Sequence, residues 1–186
     1  RINNLDFVGA RILKLIQNDI SYYAMHTNYD VLGMAELSGR KMDFGETEVL
    51  EVTSREERDE GIGRVADLKT PMTLKELCWL VKDKFHLGAV KVFGDMDQKI
   101  KRPAISPGAG KSMIKAALDK KADVLITGDI DHHTGIDAVA QGLAVIDAGH
   151  YGIEHIFIED VRIYLEEKLP GIEAAAAPVC HPFQIV

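Results

Sequence analysis

What is scarce in this chain excludes several classes of protein. Its 186 residues include only two cysteines, Cys78 and Cys180, whose spacing suits neither a metal site nor a disulfide framework. No apolar run approaches the roughly 20 residues that a membrane-spanning helix needs, and no secretory signal is visible. We therefore expect a cytoplasmic protein with two reduced thiols and no membrane association.

Positive charge is also scarce. The 22 lysines and arginines are outnumbered by 29 acidic residues, which gives a net charge of −7, and no basic cluster overrides that average. This charge balance argues against nucleic-acid binding, which usually requires a basic surface. The hydrophobic content of 46% is ordinary for a globular protein, and the length is enough for one large domain or two small ones.

Apolar runs and helical patterns alternate along the chain. Thr73 and Glu76 form a capping box at the start of one predicted helix. Strands that alternate with helices of this length imply βαβ crossovers, so we predict an α/β fold with a mixed, largely parallel sheet flanked by helices. The predicted strands are 20–25, 46–52, 61–66, 89–93, 104–106, 123–127 and 143–147, and the predicted helices are 30–37 (ended by Gly39), 73–85, 111–120, 133–141 and 150–168.

A glycine-rich segment, 106–112, ends in Gly-Lys-Ser between a predicted strand and a predicted helix. A phosphate-binding P-loop needs glycine five residues before the second glycine, and here that residue is Ile105. Pro107 also removes an amide donor from the loop. We therefore favour a glycine turn that lets the backbone approach a neighbouring site, where an anionic group could rest. A P-loop phosphotransferase stays open as a minor alternative.

Two predicted strands each lead into a histidine that is followed four residues later by an acid. Ligands in open α/β sheets lie beyond strand ends, and imidazole and carboxylate are ligands for Zn, Mn, Fe or Co. If the two pairs face one another they can hold a metal, so the sequence favours a metal-dependent enzyme. The pairs are His26 with Asp30, and His150 with Glu154, which lie one turn apart on one helix face.

Two more histidines follow the apolar strand 123–127. His132 and His133 are candidates for a supporting role or for proton transfer, although either could instead be a helix cap or an ordinary surface residue. The remaining histidines lack this setting, and we interpret them as structural or surface residues, with His155 directed away from Glu154. They are His86, His155 and His181.

Three phrases together carry a resemblance to a known family. They are ISYYAMHTNYD, ADVLITGDIDHHTGIDAVAQGLAVIDAGHYGIE and the closing HPFQIV. Read in this order, they resemble the NIF-three-like dinuclear-metal family, whose bacterial members are commonly labelled GTP cyclohydrolase type 2 homologues. The similarity covers nearly the whole chain.

The resemblance implies two α/β halves around a site for two divalent metal ions, in a ring-shaped homohexamer. We accordingly divide the chain into 1–66, the remainder of the first half, and 67–186, the second half. The family's acidic ligand falls on Asp30, with His26 beside the metals. The histidine and the acid of the family's GHYxxE phrase fall on His150 and Glu154, and Glu154 would bridge both ions.

The resemblance also implies that ligands are missing. The family uses a histidine pair in an upstream HHP phrase, and this sequence has none. The chain begins about where that phrase would have ended, and so we expect an N-terminal segment to be absent and the two-metal site to be incomplete.

The family's chemistry implies a metal-dependent hydrolase that acts on a small, nucleotide-like or phosphorylated substrate, by attack on an amide, a ring C–N bond or a phosphate ester. Proton transfer would fall to His26, His132 or His133. Family similarity does not fix the substrate. The alternative is a non-enzymatic metal-binding scaffold that works through protein partners.

Overall fold

The computed structural model describes residues 2–55 and 57–185. The strands are β1 Glu48–Ser54, β2 Glu60–Val65, β3 Met72–Thr73, β4 Lys91–Phe93, β5 Lys99–Ile100, β6 Pro103–Ala109, β7 Val124–Gly128 and β8 Ala144–Asp147. One six-stranded sheet has the order β1-β2-β6-β7-β8-β4, and β3 pairs with β5 in a small second sheet.

The helices flank this sheet and connect its parallel strands. A π-helical turn spans Asp30–Met34, and a 3₁₀ turn spans Gly110–Met113. The α-helices are α1 Phe7–Gln17, α2 Thr27–Tyr29, α3 Ala35–Lys41, α4 Leu74–Phe85, α5 Ile114–Asp119, α6 His132–Ala140, α7 His150–Glu154 and α8 Phe157–Lys168. In residues 2–55 and 57–185 no helix is long and apolar enough to cross a membrane.

Strand directions explain the mixed sheet. The three strands β6, β7 and β8 are parallel neighbours, while β1–β2, β2–β6 and β4–β8 are antiparallel pairs. Strand β1 therefore runs in the same direction as β6, β7 and β8. The predicted α/β fold with a mixed, largely parallel sheet is confirmed.

The core lies on both faces of the central strands. All residues of β7 and β8 are buried, which is typical of parallel strands covered by helices on both sides. Their side chains alternate between two apolar clusters: Ile126 and Ile146 pack with α4 on one face, whereas Leu125 and Val145 pack with α5 and α6 on the other. Each such side chain stabilises the fold by about 1.5–3 kcal/mol.

The first predicted strand, 20–25, is wrong. This segment belongs to no described sheet, and its side chains are exposed, with Tyr22 at 76% and Tyr23 at 78% of full exposure. Its β-branched and aromatic composition favours a strand, but a strand forms only where a neighbour completes its hydrogen bonds. Within residues 2–55 and 57–185 no strand takes that place.

Two helix boundaries also differ from prediction. Gly39 does not end its helix: it lies buried within α3, which continues to Lys41 and is closed by the Met42 amide donating to the Ser38 carbonyl oxygen at 3.1 Å. The single helix predicted for 150–168 is two helices, separated at His155 and Ile156, where the turn lets Ile156 pack against the core.

Both predicted halves contribute to the same sheet. Strands β1 and β2 come from the first half, and β2 pairs with β6 through Arg64 opposite Ile105 and Val65 opposite Ala104. The boundary between residues 66 and 67 stays a prediction. The consequence for function is that the carboxyl ends of β6, β7 and β8 meet at one edge of the sheet.

Candidate metal centre

The second predicted pair of ligands lies directly beyond β8. The strand ends at Asp147, and Gly149, with φ +75°, turns the chain into α7. His150 and Glu154 then share one face of that helix, where the imidazole Nε2 lies 3.2 Å from the Glu154 Oε2. The His150 side chain is 48% exposed and the Glu154 side chain 28%, so the pair is open to a ligand from solvent.

Asp129 fixes the orientation of the His150 ring. Its Oδ2 lies 2.7 Å from the Nδ1 of His150, an arrangement in which Nδ1–H donates to the carboxylate and Nε2 is left as the free nitrogen. Asp129 follows β7 in a left-handed conformation with φ +56°, which aspartate tolerates better than most residues. A Cβ on the preceding Gly128 would lie 2.5 Å from the backbone nitrogen of His150, so glycine is needed there.

The glycine-rich segment forms a wall of the same site. Gly108 adopts φ +84°, and a Cβ there would lie 2.6 Å from the Glu154 Oε1 and 3.8 Å from the His150 Nε2. The Lys111 ammonium instead lies 3.2 Å from the Asp131 carboxylate. This is the arrangement expected of a glycine turn that brings backbone to a neighbouring site.

The surroundings of the pair raise the pKa of both groups. Burial alone would lower the pKa of the His150 imidazole, but the hydrogen bond with Asp129 and the charges of Glu154 and Asp129 outweigh it, so the pKa is raised. Burial raises the pKa of the Glu154 carboxyl, against the opposing charge of His150 and with the added negative charge of Asp30. A metal ion that bound here would compete with protons for both groups.

The first predicted pair lies in the same neighbourhood but is held differently. Asp30 opens the π-helical turn and is half-buried, and both its charge and that of His26 act on the pKa of Glu154. His26 is exposed, and its Nδ1 lies 3.1 Å from the Thr27 hydroxyl. The fold thus brings both pairs within electrostatic reach of one another.

The remaining histidines stand apart from this pair. His132 and His133 begin α6 with exposed side chains, and their rings contact each other at 5.3 Å. Among the described side chains, neither hydrogen-bonds to His150 or Glu154. His86 ends α4 with φ +55°, and His155 packs near His181, with ring centroids 6.2 Å apart, as structural residues do.

The donor types fit a divalent metal, but their number is short. The pair offers one imidazole nitrogen and one carboxylate, which are ligand types of Zn, Mn, Fe and Co. Within residues 2–55 and 57–185, however, no group of three or more His, Cys, Asp or Glu side chains is placed to hold an ion. The described residues therefore bring together two side chains of suitable type and no third one.

Sequence reasoning missed the role of Asp129. A signal was present, because this acid follows the glycine that ends a buried strand, at the same edge of the sheet as His150. What the sequence could not show is the parallel pairing of β7 with β8, which sets Thr127 opposite Asp147 and so brings Asp129 to the His150 ring.

Fold and site together define a class: an α/β protein with an oriented histidine–carboxylate pair at the carboxyl ends of parallel strands. A family model narrows it further. The model described as Duf34/NIF3 (NGG1p interacting factor 3) matches residues 1–181, and the chain belongs to this family. The resemblance inferred from the three sequence phrases is confirmed.

Curated relatives carry the name GTP cyclohydrolase 1 type 2 homolog. The protein from Clostridium acetobutylicum is 37% identical over 166 residues, covering 88% of this chain and 60% of its own length. The protein from Streptococcus pneumoniae is 38% identical over 161 residues, covering 83% of this chain and 59% of its own length. This chain thus spans about three fifths of the curated relatives it matches.

Solved structures agree on the fold. A Bacillus cereus protein related to NIF3 superposes with a TM-score of 0.91 at 21% identity, covering 100% of this chain and 79% of that protein. A Staphylococcus aureus hypothetical protein gives a TM-score of 0.88 at 29% identity, covering 100% of this chain and 75% of that one.

Proposed function

We propose that this protein binds divalent metal ions at the edge of the sheet and acts as a metal-dependent hydrolase of a small, nucleotide-like or phosphorylated substrate. The observation that carries the proposal is the His150–Glu154 pair, because Asp129 holds the Nδ1 of His150 and leaves Nε2 beside the Glu154 carboxylate. A carboxylate behind a histidine in this way is typical of metal-binding sites. The name of the curated relatives supports a hydrolytic reaction on a nucleotide-like compound.

His150, Glu154 and Asp30 would hold the metal ions. When bound, such ions would polarise the substrate and lower the pKa of a water molecule to near neutrality. Asp129 keeps His150 in the tautomer that can act as a ligand. The glycine at position 108 lets the backbone of the neighbouring segment approach the Glu154 carboxylate closely.

Proton transfer is proposed for His26, since this exposed imidazole already acts electrostatically on Glu154. His132 and His133 are the other candidates, and they would need substrate or a conformational change to reach the site. A histidine is suited to this task because its pKa lies close to neutral pH.

The proposal for two metals needs more ligands than residues 2–55 and 57–185 bring together. The curated relatives are longer than this chain, and assembly into a homohexameric ring, as the family resemblance implies, would place several sites near one another. We propose the homohexameric ring for this protein, together with a cytoplasmic location that suits its free cysteines, Cys78 and Cys180.

A second candidate function is a metal-binding scaffold that works through protein partners. One observation favours it: large apolar side chains are exposed along the N-terminal part of the chain, which is unusual without an interface. They include Leu5, Phe7, Val8, Ile16, Tyr22 and Tyr23. Under this hypothesis partner binding survives loss of the metal, and a broad substrate panel gives no turnover.

The deciding experiment measures metal content and activity together. The protein is stripped with chelator, reloaded with Zn²⁺, Mn²⁺, Fe²⁺ or Co²⁺, and compared with Glu154→Gln and with Glu167→Gln, a control on the exposed surface of α8. We expect Glu154→Gln to lose bound metal and hydrolysis while Glu167→Gln keeps both. Equal metal content in Glu154→Gln and the starting protein would contradict the site.

A further inference from the structure

We propose that Asp147 is a positioning residue, one that sets the distance between Asp129 and His150 from beneath the site. This inference rests on the proposed metal function of His150, but it concerns a carboxylate that would not itself touch a metal. Asp147 ends β8, and only 8% of its surface is exposed. A buried carboxylate is costly unless its oxygens are satisfied, and here both of them are.

The two oxygens accept hydrogen bonds from two different loops. The amide of Gly149 donates to Oδ1 at 3.0 Å, and the amide of Ile130 donates to Oδ2 at 3.0 Å. Gly149 immediately precedes His150, and Ile130 immediately follows Asp129. One rigid group therefore fixes the backbone next to both partners of the 2.7 Å contact between Asp129 and His150.

Lys91 completes the arrangement from the edge strand β4. It is the cross-strand partner of Asp147 in the β4–β8 pair, and its ammonium lies 2.8 Å from Asp147 Oδ2. The same ammonium donates to the Ile130 carbonyl oxygen at 2.6 Å. Ile130 is thus held at both its amide and its carbonyl, and the loop that carries Asp129 is tied to two strands.

These contacts are needed because the two loops are not regular structure. Asp129 has φ +56°, a conformation that the surroundings must maintain in a residue other than glycine. The buried Ile130 amide and the half-buried Gly149 amide would lose their acceptor if the carboxylate were removed, and such a loss is costly. The geometry that faces the ligand therefore depends on Asp147 and Lys91 below it.

The sheet supplies a matched control at its opposite end. Asp123 directly precedes β7, and its Oδ2 accepts from the amides of Lys101 and Arg102, each at 2.7 Å. Like Asp147, it is a carboxylate that bridges loop amides, but it lies at the amino end of the parallel strands. Its loss should cost stability without disturbing His150.

The test compares Asp147→Asn with Asp123→Asn, with three measurements: the free energy of unfolding, Zn²⁺ affinity by calorimetry, and the ¹⁵N signals of the His150 ring in metal-free protein. We expect both variants to lose stability. Only Asp147→Asn should lower Zn²⁺ affinity, by about 10–100-fold as for other residues that support metal ligands, and only Asp147→Asn should change the His150 ring signals.

Each outcome is decisive for one of the two proposals. Unchanged ring signals and unchanged Zn²⁺ affinity in Asp147→Asn would overturn the positioning role. If the starting protein binds no Zn²⁺, the metal function fails, while the ring signals still test the positioning of His150. Should Asp147→Asn not fold, Lys91→Met decides, because it keeps the carboxylate and should shift the Ile130 amide and His150 ring signals, and an absence of any shift would again overturn the role.

Discussion

The two histidine–acid pairs have the same spacing in sequence but opposite settings in the structure. His150 and Glu154 follow β8, a strand in which all residues are buried, and a carboxylate holds the His150 ring at 2.7 Å. His26 and Asp30 follow a segment that belongs to no described sheet. His150 and Glu154 therefore follow a strand that lies in the core, whereas His26 and Asp30 follow a segment that is exposed.

The difference shows what positions a ligand. The second pair is positioned by β7 and β8, because their parallel pairing brings the carboxyl ends of the two strands side by side. The first pair is attached through Tyr29, whose hydroxyl donates to the Asp160 carboxylate at 2.8 Å and whose ring meets Phe157 edge-on. A short spacing motif identifies candidate ligands, but rigidity comes from the element that precedes it.

The largest effect should come from the core beneath the second pair. Ile146→Ala, in β8, should lower the free energy of unfolding by about 2–5 kcal/mol, because it leaves a cavity at a fully buried position. Tyr23→Ala, in the exposed segment before the first pair, should change it by no more than about 0.5 kcal/mol. Denaturant titration measures both, and equal losses would break the comparison.

The next effect concerns metal affinity. Replacing His150 with alanine should weaken Zn²⁺ binding by more than the roughly 10–100-fold typical of supporting residues, because it removes a proposed ligand. His26→Ala should weaken it by less than about tenfold. Calorimetry on the two variants, each checked for native circular dichroism, would contradict the assignment if His26→Ala had the larger effect.

A smaller effect should follow from loosening the first pair. Tyr29→Phe removes the hydroxyl that bonds to Asp160 and should cost about 0.5–1.5 kcal/mol of stability. The Asp30 amide signal should shift in NMR spectra, whereas the Ile130 and Gly149 amides should not. Shifts at those two amides would show that the pairs are structurally coupled after all.

The smallest effect is a pH dependence that comes from His150 in the second pair. Because the pKa of His150 is raised in the folded protein, its contribution to stability is fully present below about pH 6.5 and is lost as the pH rises through the folded pKa. Asp129→Asn should reduce this contribution in metal-free protein, whereas His133→Gln should leave it unchanged. Urea midpoints across pH, with an NMR titration of His150, measure it, and an unchanged profile in Asp129→Asn would count against the Asp129 contact.

Local chemistry explains which elements the sequence predicts well. Thr73 and Glu76 form the expected capping box, since the Glu76 amide donates to the Thr73 hydroxyl at 3.1 Å and the Thr73 amide donates to the Glu76 carboxylate at 2.6 Å. The strand predicted at 143–147 is β8, because a short apolar run between turn residues needs no distant information to be recognised.

Features that depend on distant neighbours were not accessible from the sequence. The segment 20–25 has strand composition but lacks a described partner, and the helix predicted at 150–168 breaks where Ile156 turns into the core. The proximity of His150 and Glu154 could be predicted from the sequence, because residues at i and i+4 are neighbours on one face of a helix. The contact between Asp129 and His150 joins residues 21 positions apart, and only the register of β7 and β8 creates it.

Gly108 gives the site a further property. Because a Cβ at this position would lie 2.6 Å from the Glu154 Oε1, Gly108→Ala would push the Glu154 carboxylate away from its present place and strain a backbone at φ +84°, without removing any donor. Such a variant keeps the chemistry of the pair and changes only its geometry. It would separate the identity of the donors from their placement, a distinction that substitutions of His150 or Glu154 cannot make.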